Sequence, residues 1–152
     1  MAGNVQPLFT KTPNVGFASI PTANAQVKSD GTSAGTGADI MYLAFTAGGN
    51  GSFVSTVRFF SVATAVVTGA PTVLRAYLST VAAPGATTNA NTHLIGEISV
   101  PAVPSANASN ATSPYDIPVG FAIPNGLYIH VSQHAAQTAN QNWACLVLGG
   151  DY

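Results

Sequence analysis

The chain has 152 residues, of which 47% are hydrophobic and only 6% are charged, and its formal net charge is −1. A soluble domain usually has about 25% charged residues, and a disordered chain combines high charge with low hydrophobicity. The composition therefore excludes a disordered protein and predicts one ordered domain with a neutral polar surface. Because little electrostatic repulsion keeps copies apart, we expect this surface to associate with itself or with a partner.

Several kinds of partner are excluded on the same grounds. The cations are scattered along the chain, at Lys11, Lys28, Arg58 and Arg75, whereas binding to a phosphate backbone needs several on one face. No apolar run approaches the roughly 18 residues that cross a bilayer, and the N-terminus lacks the pattern of a signal peptide. We expect a soluble, unsecreted protein that binds neither nucleic acid nor membrane.

The first 38 residues differ from the rest of the chain. Three prolines and a passage rich in Gly, Ser and Thr leave only short apolar groups between them, which predicts an extended N-terminal arm (residues 1–38) in front of a β-domain (residues 39–152). Such an arm has no core of its own and lies along another surface once one is available. An additional edge strand at Gly16–Ile20 is the alternative, and the pattern leaves both open. The residues expected to anchor the arm are Val5, Leu8, Phe9 and Phe17.

Strand patterns follow at regular spacing from residue 39. Two β-rich runs flank the turn sequence Gly48–Gly51, which predicts a hairpin. A loop around Pro84 and a proline-containing connection at Pro101–Pro114 interrupt the later runs, and the second of these is expected to cross between sheets. The strands predicted in this part are Asp39–Ala47, Ser52–Ser61, Val62–Thr68, Thr72–Ser79 and Thr92–Val100.

The last 38 residues form the clearest pattern of all. They predict three antiparallel strands, with a reversal at Pro124–Gly126. The third run, Trp143–Leu148, is apolar on both sides, which is typical of a central strand covered on both faces, and Gly149 and Gly150 are expected to end it. Seven or eight short strands without helical periodicity predict an all-β, single antiparallel β-sandwich. A jelly roll is the first topology to expect and an immunoglobulin-like sandwich the second.

The sequence contains few groups that could carry chemistry, and we predict no catalytic, cofactor-binding or metal-binding residues and no enzyme activity. His130 and His134 lie four residues apart on a predicted strand, about 13 Å, which is too far for both to bind one ion. An intermolecular metal site on a symmetry axis remains open. Cys145 lies in an apolar run and is expected to be a small buried side chain.

The chain from about residue 57 onward resembles a family of small virion proteins of tailed bacteriophages. The ending FAIPNGLYIHVSQHAAQTANQNWACLVLGGDY, preceded by APTVLRAYLS and HLIGEISVPAV, carries the resemblance, and its most specific parts are PNGLYIHVSQH and the terminal GGDY. The resemblance covers roughly residues 57–152. It implies a capsid decoration or cement protein, often a trimer and often a jelly roll, that is made in the host cytoplasm and binds the major capsid protein on the outside of the virion. The arm residues named above would then contact the capsid or a neighbouring subunit.

Two other functions remain open. A receptor- or glycan-binding module of a head fibre or tail tip would use an aromatic surface with polar groups around it. The residues suited to that role are Tyr128, His130 and Trp143. A small hydrolase is the weakest alternative, because no Gly-x-Ser-x-Gly elbow or paired carboxylates are present in the sequence.

Overall fold

The computed structural model describes residues 10–21, 23, 41–65, 67–102, 104, 111–137 and 139–152. These residues form eight strands and one short 3₁₀ turn at Pro84–Ala86, and they contain no α-helix. The strands are β1 Thr12–Ile20, β2 Tyr42–Thr46, β3 Ser52–Ala63, β4 Thr72–Ser79, β5 Thr92–Val100, β6 Tyr115–Ile123, β7 Tyr128–Gln133 and β8 Gln141–Asp151.

Each of the first four strands pairs with one of the last four: β1 with β8, β2 with β7, β3 with β6 and β4 with β5. The chain is thus an antiparallel ribbon folded back between β4 and β5. When the ribbon rolls up, β3 also pairs with β8 and β4 with β7. The result is two four-stranded sheets, sheet I (β1-β8-β3-β6) and sheet II (β2-β7-β4-β5). This is a jelly roll, so the predicted sandwich is confirmed and the immunoglobulin-like alternative is wrong.

The core lies between the two sheets and follows from the two-residue period of the strands. Sheet I contributes Phe59 from β3 and Trp143 from β8, which pack against side chains of sheet II such as Leu74 and Ile129. Cys145 also faces this core and is 2% exposed, as expected. Burial raises the pKa of its thiol to about 12, so this side chain behaves as an apolar group.

The described strands contain three register shifts, one of them in β2 between Leu43 and Phe45, and the other two change which side chains face the core. In β3 the register shifts between Val54 and Thr56, so that Val54 faces the core although the unbroken period had placed it opposite Val57 and Phe59. The pairing of β4 with β5 also shifts, between Ala76 and Tyr77 of β4. As a result, Ile95 of β5 packs against the core together with Ile98. An extra residue in one strand moves each side chain that follows it to the opposite face of the sheet.

The turns between consecutive strands were predicted in the correct places, but one was given the wrong role. Gly48–Gly51 joins β2 of sheet II to β3 of sheet I, so the predicted hairpin is wrong. Pro124–Gly126 forms the predicted turn, with Gly126 at φ 81°, but it also connects the two sheets. In this rolled ribbon, strands that follow each other in sequence are not hydrogen-bonded partners, apart from β4 and β5. The connection from Pro101 to Pro114 does run from sheet II to sheet I, as expected.

Two predicted strand boundaries are wrong, and one alternative that the sequence left open is decided by the structure. There is no separate strand at Val62–Thr68, because β3 continues to Ala63 and the described part beyond it makes only an isolated bridge from Thr68 to Pro104. The glycine pair does not end β8, which runs through it to Asp151. At the N-terminus, Gly16–Ile20 belongs to an edge strand rather than to an arm. The proposed boundary between residues 38 and 39 stays a prediction, because residues 24–40 lie outside the described ranges.

Candidate interaction surface

The outer face of sheet I is unusually apolar for an antiparallel sandwich, in which the outward positions are normally polar. Phe17 is 79% exposed, Val15 and Val62 are each 50% exposed, and Phe53 is 36% exposed. Half-buried side chains of the central strands fill the space between them. We call this surface the apolar face, and it consists of Val15, Phe17, Phe53, Phe60, Val62, Ala144, Leu146 and Leu148.

One row of this face runs straight across all four strands. The register aligns Phe17 with Leu146, Leu146 with Arg58, and Arg58 with Asp116. Arg58 donates two hydrogen bonds to Asp116, from Nε to Oδ1 and from Nη2 to Oδ2, each 2.7 Å long. The Arg58 hydrogen bond lowers the pKa of Asp116, and the carboxylate raises the pKa of Arg58. The only two charges in the row therefore neutralise each other.

The exposed apolar area of this face is in the size range of known interaction sites. A phenylalanine side chain has about 200 Å² of surface, so Phe17 and Phe53 together present on the order of 200 Å², and the half-exposed Val15 and Val62 raise the apolar area to a few hundred Å². Contiguous patches of this size on monomers are often functional. The apolar face is therefore a candidate interaction surface.

The outer face of sheet II is different, because it is polar and covered. Arg75 faces Ser132 across β4 and β7, and Tyr77 faces His130. Arg75 is 6% exposed. Its Nε donates a hydrogen bond to Glu97 Oε2 at 3.0 Å, and its Nη1 donates one to His134 Nδ1 at 3.3 Å. Of the large apolar side chains that are exposed in the described structure, Leu43 of β2, 36% exposed, belongs to sheet II, and the others lie on strands of sheet I.

The loop after β4 covers part of sheet II. His130 is fully buried, and its Nε2 donates to the Val81 carbonyl at 2.9 Å. Burial lowers the pKa of His130, and the hydrogen bond to Val81 opposes this only in part. His130 and His134 thus have separate partners, and the described residues contain no group of three or more His, Cys, Asp or Glu side chains that could hold a metal.

The residues considered for glycan binding are mostly out of reach. Trp143 is 1% exposed and packs edge-on against Tyr115, with ring centroids 5.8 Å apart, so it belongs to the core. His130 is buried as well, and only Tyr128 is half-exposed. These residues do not form an aromatic sugar platform.

A groove of about 310 Å³ lies beside the apolar face, where the edge strands β1 and β2 approach each other. It is lined by Asn14–Phe17 and Leu43–Thr46. Gly16 makes this approach feasible, since a Cβ there would collide with the Ala44 carbonyl of β2. The groove therefore joins the exposed side chains of β1 to the margin of sheet II.

The terminal GGDY motif holds three segments together at one end of the groove. Asp151 Oδ1 accepts hydrogen bonds from Asn14 Nδ2 of β1, at 2.8 Å, and from the Ser52 hydroxyl of β3. The Ser52 bond, with further help from Asn14 and the Gly48 amide, lowers the pKa of Asp151 although partial burial opposes this. The Tyr152 amide donates to the Gly51 carbonyl at 3.2 Å. The motif thus has a structural role in this chain.

Of the four predicted anchors, the structure describes Phe17 alone. It is the most exposed of the large apolar side chains described, and it lies on the apolar face. Val5, Leu8 and Phe9 lie outside the described residues. Leu146, Leu148 and Val62 were not predicted to be surface contacts. The apolar residues on both sides of the Trp143–Leu148 strand were the signal in the sequence that indicated part of this surface.

No protein-family model matches the sequence, and no curated protein or solved structure matches the chain. The resemblance to phage virion proteins therefore depends on the sequence motifs alone. Among the described residues, no helix has the length and hydropathy needed to span a membrane.

Proposed function

We propose that this chain is a structural virion protein of a tailed bacteriophage, which binds the outside of the capsid as a decoration protein and reinforces the shell. The observation that carries the proposal is the neutral apolar face on a jelly roll, a fold common in capsid proteins. The motif resemblance supports the same function and favours a trimer as the unit on the shell. The major capsid protein is the partner, and the protein performs no catalysis.

The apolar face has the properties that repeated attachment to a shell requires. A protein that coats a shell makes the same contact many times, and aromatic and aliphatic side chains supply most of the binding free energy where they lose their water. The apolar face provides such side chains on a rigid sheet. Its Arg58–Asp116 pair is bidentate and remains hydrogen-bonded when it is covered.

The contact is tested by adding purified protein to capsids that lack it and measuring cosedimentation. We expect Val62→Glu and Phe53→Glu to reduce binding at least tenfold, because each places a charge on the apolar face. Ser99→Glu is the matched control, since Ser99 is exposed on β5 of sheet II. Wild-type binding by both sheet I variants would show that this face is not the contact.

The location on the virion is tested separately by immunogold labelling of intact particles. Labelling over the whole head is expected for a decoration protein. Labelling confined to a vertex or to the tail tip would contradict the proposal and favour the receptor-binding alternative. Deletion of residues 1–9, which removes the predicted anchors Val5, Leu8 and Phe9, shows by the same cosedimentation assay whether these residues contribute.

A further inference from the structure

The two sheets have four edge strands, and three of them carry features that oppose pairing with another strand. β6 contains Pro118 and a glycine at positive φ, Gly120 at 69°. β2 has only five residues and a register shift between Leu43 and Phe45. β5 carries Glu97 and lies beside the register shift at Ala76 and Tyr77. Prolines, bulges, charges and short length are the usual means by which edges are protected.

Of these four features, strand β1 has only a proline near its start, although β2 lies against its inner side, where Asn14 Nδ2 donates to the Thr46 carbonyl at 3.2 Å. Strand β1 has nine residues, its register along β8 is regular from end to end, and it contains no charged side chain. Its one proline, Pro13, is the second residue of the strand. In the described part of the molecule, β1 ends the strand order of sheet I. A long, flat and uncharged edge of this kind is a template for another strand.

We propose that two copies of this chain pair through β1, antiparallel and about a two-fold axis at Gly16. The sheets I of the two copies then form one continuous eight-stranded sheet. Because a two-fold contact uses the same surface twice, the register follows from the centre of the strand. Val15 lies opposite the partner's Phe17, and Phe17 lies opposite the partner's Val15.

The side chains of β1 suit this register. Val15 and Phe17 both project from the outer side of the sheet, where they are 50% and 79% exposed, so two cross-strand Val–Phe pairs form. Pairs of an aromatic and a β-branched residue are among the favourable ones in antiparallel sheets. Gly16 lies on the axis itself, and because it has no Cβ, the Ala44 carbonyl of β2 fits against the inner face of the sheet at this point. No β1 residue has a charge that would meet its own copy across the axis.

The size of the contact determines how strongly the copies associate. Two paired nine-residue strands are about 30 Å long, and a contact one strand wide lies at or below the low end of specific interfaces, about 1,200 Å² in total. We therefore expect a reversible dimer with a dissociation constant in the micromolar range. The pairing also joins the apolar faces of both copies into one surface.

This inference goes beyond the proposed function and does not depend on it, because it concerns the purified protein without capsids. It also differs from the trimer that the motif resemblance favours. A protein that forms the dimer but does not bind capsids would contradict only the proposed function. A monomer that binds capsids would contradict only the β1 pairing.

The experiment is sedimentation velocity on the full chain at about 1 to 200 μM, with circular dichroism to verify that each variant is folded. The wild type is expected to shift from the mass of one chain to that of two. Val15→Glu/Phe17→Glu places Glu opposite Glu twice and should raise the dissociation constant at least tenfold. Val15→Lys/Phe17→Glu changes the same two positions but places Lys opposite Glu twice, and it should restore the dimer.

Val62→Glu is the matched control, since Val62 is as exposed as Val15 but lies on β3 of the same face. It should dimerise like the wild type. A wild type that stays monomeric or forms trimers would overturn the proposal. So would loss of the dimer in Val62→Glu, which would indicate packing of face against face, or failure of the Lys/Glu variant to recover, which would exclude this register.

Discussion

Asp151 shows how one side chain near the end of the chain closes the jelly roll. Its carboxylate binds Asn14 of β1 and Ser52 of β3, so it holds the first and third strands against the last. The hydrogen bonds to these donors are stronger when the group is ionised. Stability near this end of the sandwich should therefore depend on pH.

The sign of the dependence follows from the lowered pKa of Asp151 in the folded state. The ionised form contributes stability above the unfolded pKa, near 4, and this contribution disappears as the pH falls through the folded pKa. We expect Asp151→Asn to lower the free energy of unfolding by about 1 kcal/mol at pH 6, with a smaller difference at pH 2. Urea unfolding of the wild type and of Asp151→Asn between pH 2 and pH 6 measures this difference in the free energy of unfolding.

Ser52→Ala serves as the second variant, because the Ser52 hydroxyl is the main cause of the lowered pKa of Asp151. It should weaken the same pH dependence while leaving the carboxylate in place. A difference between the wild type and Asp151→Asn that stays constant from pH 6 to pH 2 would contradict this assignment.

At the scale of the element, β8 is the strand on which sheet I depends, because it pairs with β1 on one side and β3 on the other. Its neighbours come very close at the glycine pair. A Cβ on Gly149 would lie 2.6 Å from the Phe53 carbonyl oxygen and 3.5 Å from that of Asn14. Both contacts are with backbone, so the neighbours cannot move aside without disturbing their own ladders.

Gly149→Ala should therefore lower the free energy of unfolding by about 1 to 3 kcal/mol, which is several degrees in Tm for a domain of this size. Thermal unfolding followed by circular dichroism measures the change. Gly49→Ala is the control, since a Cβ at Gly49 would meet no atom within 4 Å. Equal stability of the two variants would show that β8 tolerates a side chain there.

The strands themselves could be predicted from the sequence because alternation is a local property. Strands β3 to β8 were expected at nearly their observed positions. The bulges at Ser55 and beside Tyr77 could not be predicted, because an extra residue in a ladder is defined by the strand opposite. The role of Gly48–Gly51 could not be predicted either, since the same turn residues suit a hairpin and a crossing between sheets.

The candidate surface was harder to predict than the fold. The apolar positions on both sides of Trp143–Leu148 indicated a strand covered on both faces, and only the inner face is covered within the described structure. An apolar outward position has the same pattern whether the cover belongs to the same chain or to another. The pattern predicts a cover on both faces of β8, and the described residues provide one on the inner face.

For the whole molecule, the rolled topology should control folding. All strand pairs except β4–β5 join parts of the chain that are far apart in sequence, and such folds form slowly, in milliseconds to seconds. Trp143 is the single tryptophan of the chain and is buried between the sheets. Its emission should shift to longer wavelength on unfolding, in one transition that coincides with the loss of circular dichroism.

Stopped-flow refolding followed through Trp143 measures the rate, and the ordinary chevron shape would support a two-state process. The sandwich has one core shared by both sheets, so no strand is expected to unfold on its own. Separate transitions by fluorescence and circular dichroism would show that part of the roll is independent of the rest.

The apolar face determines how contacts made through it respond to salt and to temperature. Its two charges, Arg58 and Asp116, neutralise each other within the same sheet, so dissolved ions have no unpaired charge to screen there. Contacts made by such a surface depend on the exclusion of water, which sulfate and phosphate strengthen and cooling weakens. If the proposed capsid contact is made by this face, it should tolerate transfer to low ionic strength at constant protein concentration and should weaken most on cooling.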